Sequence, residues 1–410
     1  MTDRCKFRKS VLESFGATPT ETKELLGYGE THFDLSGTAN LSLPLPDERS
    51  VETWELYARL VLETQSLACL SQYLPQLQFP VQEGISKHPD YVAAVRWGEV
   101  PTRSLIATGL PLCAPQDCHL VVHATPAGRI PILVAEKRAD FVTLVQALTK
   151  RNEPIPIPES MGAIMVSGYN NWDRIRRLRA QFLASGEAES SWAAKFRHIR
   201  EQKPLYQDSF IIISTGGYSG ITPVDLGLDE AKWRALSLVI RREHECAHYV
   251  TQRFFSSMRN NVLDELLADF IGLTAAVRNF RADWQLRFLG LECFPDYRQG
   301  GRLENYRGTP PLSDGAFAVL RRLAVSAVLE LEQFDRCCFP AGHAYGMDLA
   351  VITALASLTL EEIASNRGYI FLAAALRRAT ARLAGANRTR TTTGNPDSRL
   401  SSRDETVQTQ

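Results

Sequence analysis

The sequence predicts an α+β fold, mostly helical, built around a small mixed sheet. Three observations predict it: apolar residues recur at helical spacing towards both ends, a central block holds short β-branched runs bounded by Gly and Pro, and two long segments with apolar stripes lie between them. Composition agrees. The 410 residues are 44% hydrophobic and 22% charged, with 46 Lys+Arg against 46 Asp+Glu. This is a globular composition, and zero net charge supplies no global field to attract nucleic acid or an anionic membrane.

Residues 1–110 read as a helical N-terminal region. Leu56, Leu60, Leu62, Leu67 and Leu70 give residues 51–73 a helical spacing, and a short helix follows Pro89. Residues 111–205 form an α/β region. Strands over 119–124 and 130–136 are joined through the turn-forming Thr125 to Gly128 and are followed by a helix over 141–150. The Pro-spaced segment 153–159 cannot be helix interior and must be extended; a strand at 162–168 and a basic helix from Trp172 come next. Within residues 206–280, β-branched Ile211, Ile212 and Ile213 mark a strand ending before Gly216 and Gly217. A long helix over 229–255 then carries Leu236, Ile240, Ala247, Val250 and Phe254 on its apolar stripe. A second helix over 262–277 carries Leu263, Leu266, Leu267, Phe270 and Ile271, and the tight connection between the two makes them antiparallel neighbours. Residues 281–384 form a helical C-terminal region, and 385–410, which lacks aromatics, predicts a disordered tail.

The chemistry concentrates on the two central helices. His244-Glu245-Cys246-Ala247-His248 is an HExxH pattern. At about 100° per residue the two histidines lie roughly 40° and one turn apart, so both imidazoles can reach one metal ion. Glu245 falls beside such an ion and not on it, where a carboxylate can take a proton from water. Cys246 points about 200° away from His244, towards the core. On the second helix Glu265 and Asp269 share a face at i, i+4. Glu265 completes a His2Glu donor set, which leaves a fourth position for water, and Asp269 is placed to accept the remaining N–H of a ligand histidine.

These residues resemble the gluzincin group of zinc metallopeptidases, in which HExxH on one helix is followed by Glu-x-x-x-Asp on a second. The resemblance covers roughly residues 210–278 and implies a zincin-like core, with 206–280 as the metal-site segment. It implies Zn2+ as cofactor, His244, His248 and Glu265 as ligands, Glu245 as general base, and Asp269 as partner to His244. Sixteen residues separate His248 from Glu265, within the spread of such enzymes, whereas Asp264 stands where thermolysin-like members carry Asn. Such enzymes also use a His or Tyr to stabilise the developing oxyanion. His343 and Tyr345, in the Gly/Ala-rich segment 341–346, are the candidates, while Tyr218, just after the strand, could touch substrate but reads first as turn packing.

The function these features predict is a zinc-dependent hydrolase cleaving peptide or protein substrates; the alternative is a catalytically inactive zinc-binding scaffold for a partner protein. A bland reading places the histidines on a polar helix face, with Glu265 and Asp269 answering Arg241, Arg242, Arg253 and Arg259, and must treat both halves of the pattern as coincidence. The charged first thirty residues lack a secretory apolar stretch, and the longest apolar-leaning run, 349–360, is far short of the roughly 20 residues a membrane span needs. With eight scattered cysteines, this predicts a cytoplasmic chain without a membrane partner. The basic segment 174–179 carries Ile175 and Leu178 at helical spacing and reads as a solvated helix face, which argues against nucleic acid.

Overall fold

The computed structural model describes residues 3–36, 43–99, 107–258, 261–344 and 346–391, with side chains to 384. Four strands form one mixed sheet in the order β1-β2-β4-β3. β1 (Cys118–Thr125) and β2 (Gly128–Ala135) make an antiparallel hairpin, β2 runs parallel to β4 (Gln207–Ser214), and β3 (Ala163–Asn170) closes the far edge antiparallel to β4. Strands run up to four residues beyond the β-branched cores that announce them, because pairing recruits neighbours such as Gln207 and Asn170.

Alternation along β4 divides the interior in two. Phe210 and Ile212 face a cluster with Trp54, Tyr57, Phe141 and Leu144, whereas Ile211 and Ile213 face one with Ile240, Ala247 and Val250. The first cluster is covered by α3 (Val51–Thr64) and α5 (Arg138–Thr149). The second belongs to α8 (Glu230–Phe255), which packs on β3 and β4 and, on its other side, on α9 (Asn261–Val277).

Burial on two sides explains why the second half of α8 is so enclosed. Its polar residues must therefore find partners inside the protein. α8 begins at Asp229, whose side chain accepts from the Lys232 amide at 2.8 Å, and ends where Ser256 turns left-handed at φ 57. α9 lies unusually close to it. A Cβ at Gly272 would stand 2.6 Å from the Ile240 carbonyl oxygen, so only glycine permits this separation.

The remaining helices wrap this core. α1 (Asp3–Ser14) and α2 (Pro19–Tyr28) lie against α11 (Asp314–Cys338) and α13 (Leu360–Ala364), joined by Arg4–Glu362 at 2.6 Å and Arg8–Glu361 at 2.9 Å. α12 (Leu349–Ala356) and α14 (Gly368–Thr391) complete that layer, and α10 (Ala282–Leu289) caps the site side of α8. The basic segment forms α6 (Trp172–Ala184), followed by α7 (Trp192–Glu201). The 51–73 helix breaks at Gln65, which is left-handed, and resumes as a 3-10 turn; α4 (Pro89–Tyr91) is a single turn running into a π turn. α14 extends to Thr391, and residues 392–410 of the expected tail lie outside the described residues. Among the described residues, no helix is long and apolar enough to cross a membrane.

Candidate metal centre

The α8–α9 pair brings the sequence-predicted donors together. One ligand atom from each of His244, His248 and Glu265 lies within 4.8 Å of the others. His244 Nε2 is 3.1 Å from His248 Nε2 and 3.5 Å from Glu265 Oε2, and His248 Nε2 is 3.7 Å from Glu265 Oε1. They open on a cleft of about 480 Å³, also lined by Glu245, Tyr218, Arg241, Arg302 and Tyr306, with residues 160–163 ahead of and into β3 forming one wall.

Each imidazole is backed by a carboxylate. His244 Nδ1 lies 2.8 Å from Asp269 Oδ1, which assigns the Nδ1–H donor and turns the Nε2 lone pair towards the cleft. His248 Nδ1 lies 3.3 Å from Asp264 Oδ2, within ion-pair reach but out of line for a hydrogen bond. With the His244 Nδ1–H on Asp269, the His244 Nε2 lone pair faces His248 Nε2 across 3.1 Å. That arrangement is repulsive unless a proton or a cation lies between them.

The donor set fits a tetrahedral metal. Ligands about 2.0–2.1 Å from zinc stand roughly 3.3 Å from one another in a tetrahedron. The two Nε2 atoms are near that spacing, and each finds a different oxygen of the Glu265 carboxylate slightly beyond it, within the 4.8 Å that encloses one donor atom from each residue. Two nitrogens and one carboxylate oxygen are a borderline donor set of the kind zinc takes. Glu245, half-buried, faces the same cleft without belonging to the donor cluster, as the helical offset requires. Cys246 is fully buried in the core.

Asp269 is the most heavily bonded carboxylate in the site. Besides His244, it accepts from Tyr218 Oη at 2.6 Å, Gln285 Nε2 at 2.8 Å and the Arg302 guanidinium. Burial opposes its charge, but Arg302, His244 and Tyr218 outweigh that and hold the carboxyl far below the usual range. For His248 burial likewise disfavours the charged form, and Asp264, followed by Glu265 and Glu245, overrides it and pushes the ring up to about 10.

Sequence reasoning missed how the loops supply this shell. Tyr218 is more than turn packing: its hydroxyl reaches both Asp269 and, at 3.0 Å, His244 Nδ1. Its loop is clamped to α8 by Ser237, which accepts from the Tyr218 amide at 3.0 Å, and by Arg241, which donates to the carbonyls of Ser214, Gly216 and Gly217. Arg302 and Tyr306 come from a 3-10 turn with no periodicity to advertise it, and Tyr306 Oη donates to Glu265 Oε2 at 2.8 Å.

The structure does not bring His343 into the cleft. Its Nε2 bonds Asp335 at 2.7 Å and its ring stacks on Phe339, behind α9. Tyr345 lies outside the described residues. The arginines of the bland reading are occupied elsewhere: Arg241 on carbonyls, Arg242 on Glu243, and Arg253 on the Pro46 and Ala127 carbonyls, while Arg259 is outside the described residues.

Fold and site together define an α+β chain with a candidate His2Glu metal centre set between two antiparallel helices. The chain belongs to DUF7005, a family of unknown function, which matches it over residues 10–367. No curated protein and no solved structure matches it.

Proposed function

We propose that the chain is a zinc-dependent hydrolase, a metallopeptidase of gluzincin type acting in the cytoplasm. The observation that carries this reading is the convergence of two histidine Nε2 atoms and the Glu265 carboxylate at tetrahedral spacing, with Glu245 beside them in an open cleft. All eight cysteines are free thiols, which favours a reducing compartment.

His244, His248 and Glu265 hold the metal. Zinc there supplies Lewis acidity towards water and a scissile carbonyl. Glu245 takes the proton from the attacking water and passes it to the leaving amine. Asp269 and Asp264 keep each imidazole oriented with its lone pair on the metal side. Tyr306, whose hydroxyl donates to Glu265 at the cleft, joins Tyr345 as a candidate oxyanion donor, redirecting its O–H from Glu265 when substrate binds, whereas His343 is held on Asp335.

Elemental analysis of purified protein tests the metal half of the proposal. One zinc per chain is expected in wild type and in Glu245→Gln, with none in His244→Ala; full occupancy in His244→Ala overturns the assignment. Zinc without any cleavage that depends on Glu245, in a broad peptide digest, would move the assignment to a partner-binding scaffold.

A further inference from the structure

Two cations line the cleft among the described residues, Arg241 and Arg302, and they are in different states. Arg302 is neutralised by Asp269 and stands 3.8 Å from Glu265. Arg241 is also buried, at 4% exposure, yet no carboxylate among the described residues comes within the 4.0 Å of an ion pair. Its guanidinium donates only to the backbone carbonyls of Ser214, Gly216 and Gly217. Carbonyl dipoles and the Tyr218 ring fix its orientation, and Glu245, one turn on, acts on it only from beyond ion-pair reach, which leaves the positive charge without a contacting counter-ion inside a protein wall. The glycine at 162, on the facing wall, leaves the head room, since a Cβ there would meet Arg241 Nε at 2.5 Å.

The position of Arg241 on α8 gives that charge a use. Residues 241, 244, 245 and 248 share one helix face, and Arg241 precedes Glu245 by about 6 Å along the axis. An extended peptide advances about 3.3 Å per residue, so Arg241 reaches a group one or two residues from a bond cut beside Glu245. We propose that Arg241 is a specificity residue that selects substrates carrying a carboxylate within one or two residues of the scissile bond, either an acidic side chain or a free C terminus. This rests on the hydrolase reading above. The same guanidinium that clamps the 214–217 loop thereby gains its counter-ion when substrate binds.

The test uses zinc-loaded full-length protein and matched peptide pairs around the cut sites found in a library digest: Glu against Gln near the cut, and free C-terminal acid against amide. Wild type is expected to favour one acid over its neutral match by about tenfold or more in kcat/KM, mainly through KM. The arm that shows the preference identifies the source of the carboxylate. Arg241→Gln brings that ratio to about one at unchanged zinc content, and Arg241→Lys retains part of it. Ratios near one in both arms for wild type, or a ratio unchanged in Arg241→Gln, overturn the proposal while leaving the hydrolase intact. Should Arg241→Gln fail to fold, the wild-type and Arg241→Lys ratios decide. If zinc-loaded wild type cleaves nothing, the hydrolase reading falls, and fluorescence anisotropy of the same pairs decides this one: equal affinity for acid and neutral peptides overturns it, and about tenfold tighter binding of an acid sustains an anion site.

Discussion

Asp269 shows how much one buried carboxylate can organise. It fixes the His244 tautomer, neutralises Arg302 and receives Tyr218 and Gln285, so its loss is felt in two separate measurements. Asp269→Asn should weaken zinc binding about 10- to 100-fold, read by competition with a chelator. It should also lower unfolding stability by up to about 3–5 kcal/mol in a denaturant titration, because Arg302 then keeps only the more distant Glu265 as counter-ion. Unchanged zinc affinity would mean that Asp269 serves the fold and not the metal. At this scale the sequence was legible wherever helical spacing fixed relative direction. His244, Glu245, His248, Glu265 and Asp269 could be placed from rotation per residue alone. Arg302 and Tyr306 could not, since a 3-10 turn after an irregular stretch carries no period from which to infer a facing direction.

Between elements, the site depends on the closeness of α8 and α9, and Gly272 sets it. Helix propensity alone would make Gly272→Ala stabilising by about 1 kcal/mol. The contact with the Ile240 carbonyl predicts the opposite sign: a loss of about 1–3 kcal/mol as the helices are forced apart. Zinc affinity should fall with it, because Glu265 and Asp269 ride on α9. A net gain in stability in the denaturant titration would show that the pair can separate without strain. The strands were legible from β-branched runs and turn residues, and the α8–α9 hairpin from its short connection. His343 was not, because the direction of a loop follows from where it packs. Here Asp335 on α11 and the Phe339 ring draw it away from the cleft.

For the molecule as a whole, the sheet separates the site side from a second core under α3 and α5, and buried phenols there and beside it set an alkaline limit. Tyr57 and Tyr169 in that core, and Tyr91 in a small cluster with Phe79 and Ile85, are all pushed upward by burial; Asp173 adds to the effect at Tyr57 and Asp208 at Tyr169. A folded-state pKa raised above the unfolded value of about 10 contributes stability that is complete below pH 10 and is lost as pH rises beyond it. Melting temperature should therefore hold level from neutrality to about pH 10 and decline above it, with Tyr57→Phe softening the decline. Stability that rises above pH 10 would contradict the sign. The cysteines give a second check on the same burial. Cys118, whose thiol is pushed up to about 12 by burial and then by Asp140, and Cys246, also pushed upward by burial, should resist alkylation in the folded protein. Exposed Cys113, Cys293 and Cys337 should react. Mass spectrometry of the alkylated protein counts them, and modified Cys246 under native conditions would place it outside the core.

The central claim joins these scales: two helices hold a metal so that Glu245 can work on water beside it. It is tested most directly by peptide hydrolysis with wild type and Glu245→Gln at equal zinc content. The account predicts cleavage by wild type that falls by about 10²–10⁴-fold or more in the variant. Equal cleavage by the two proteins, or none by zinc-loaded wild type, would contradict it.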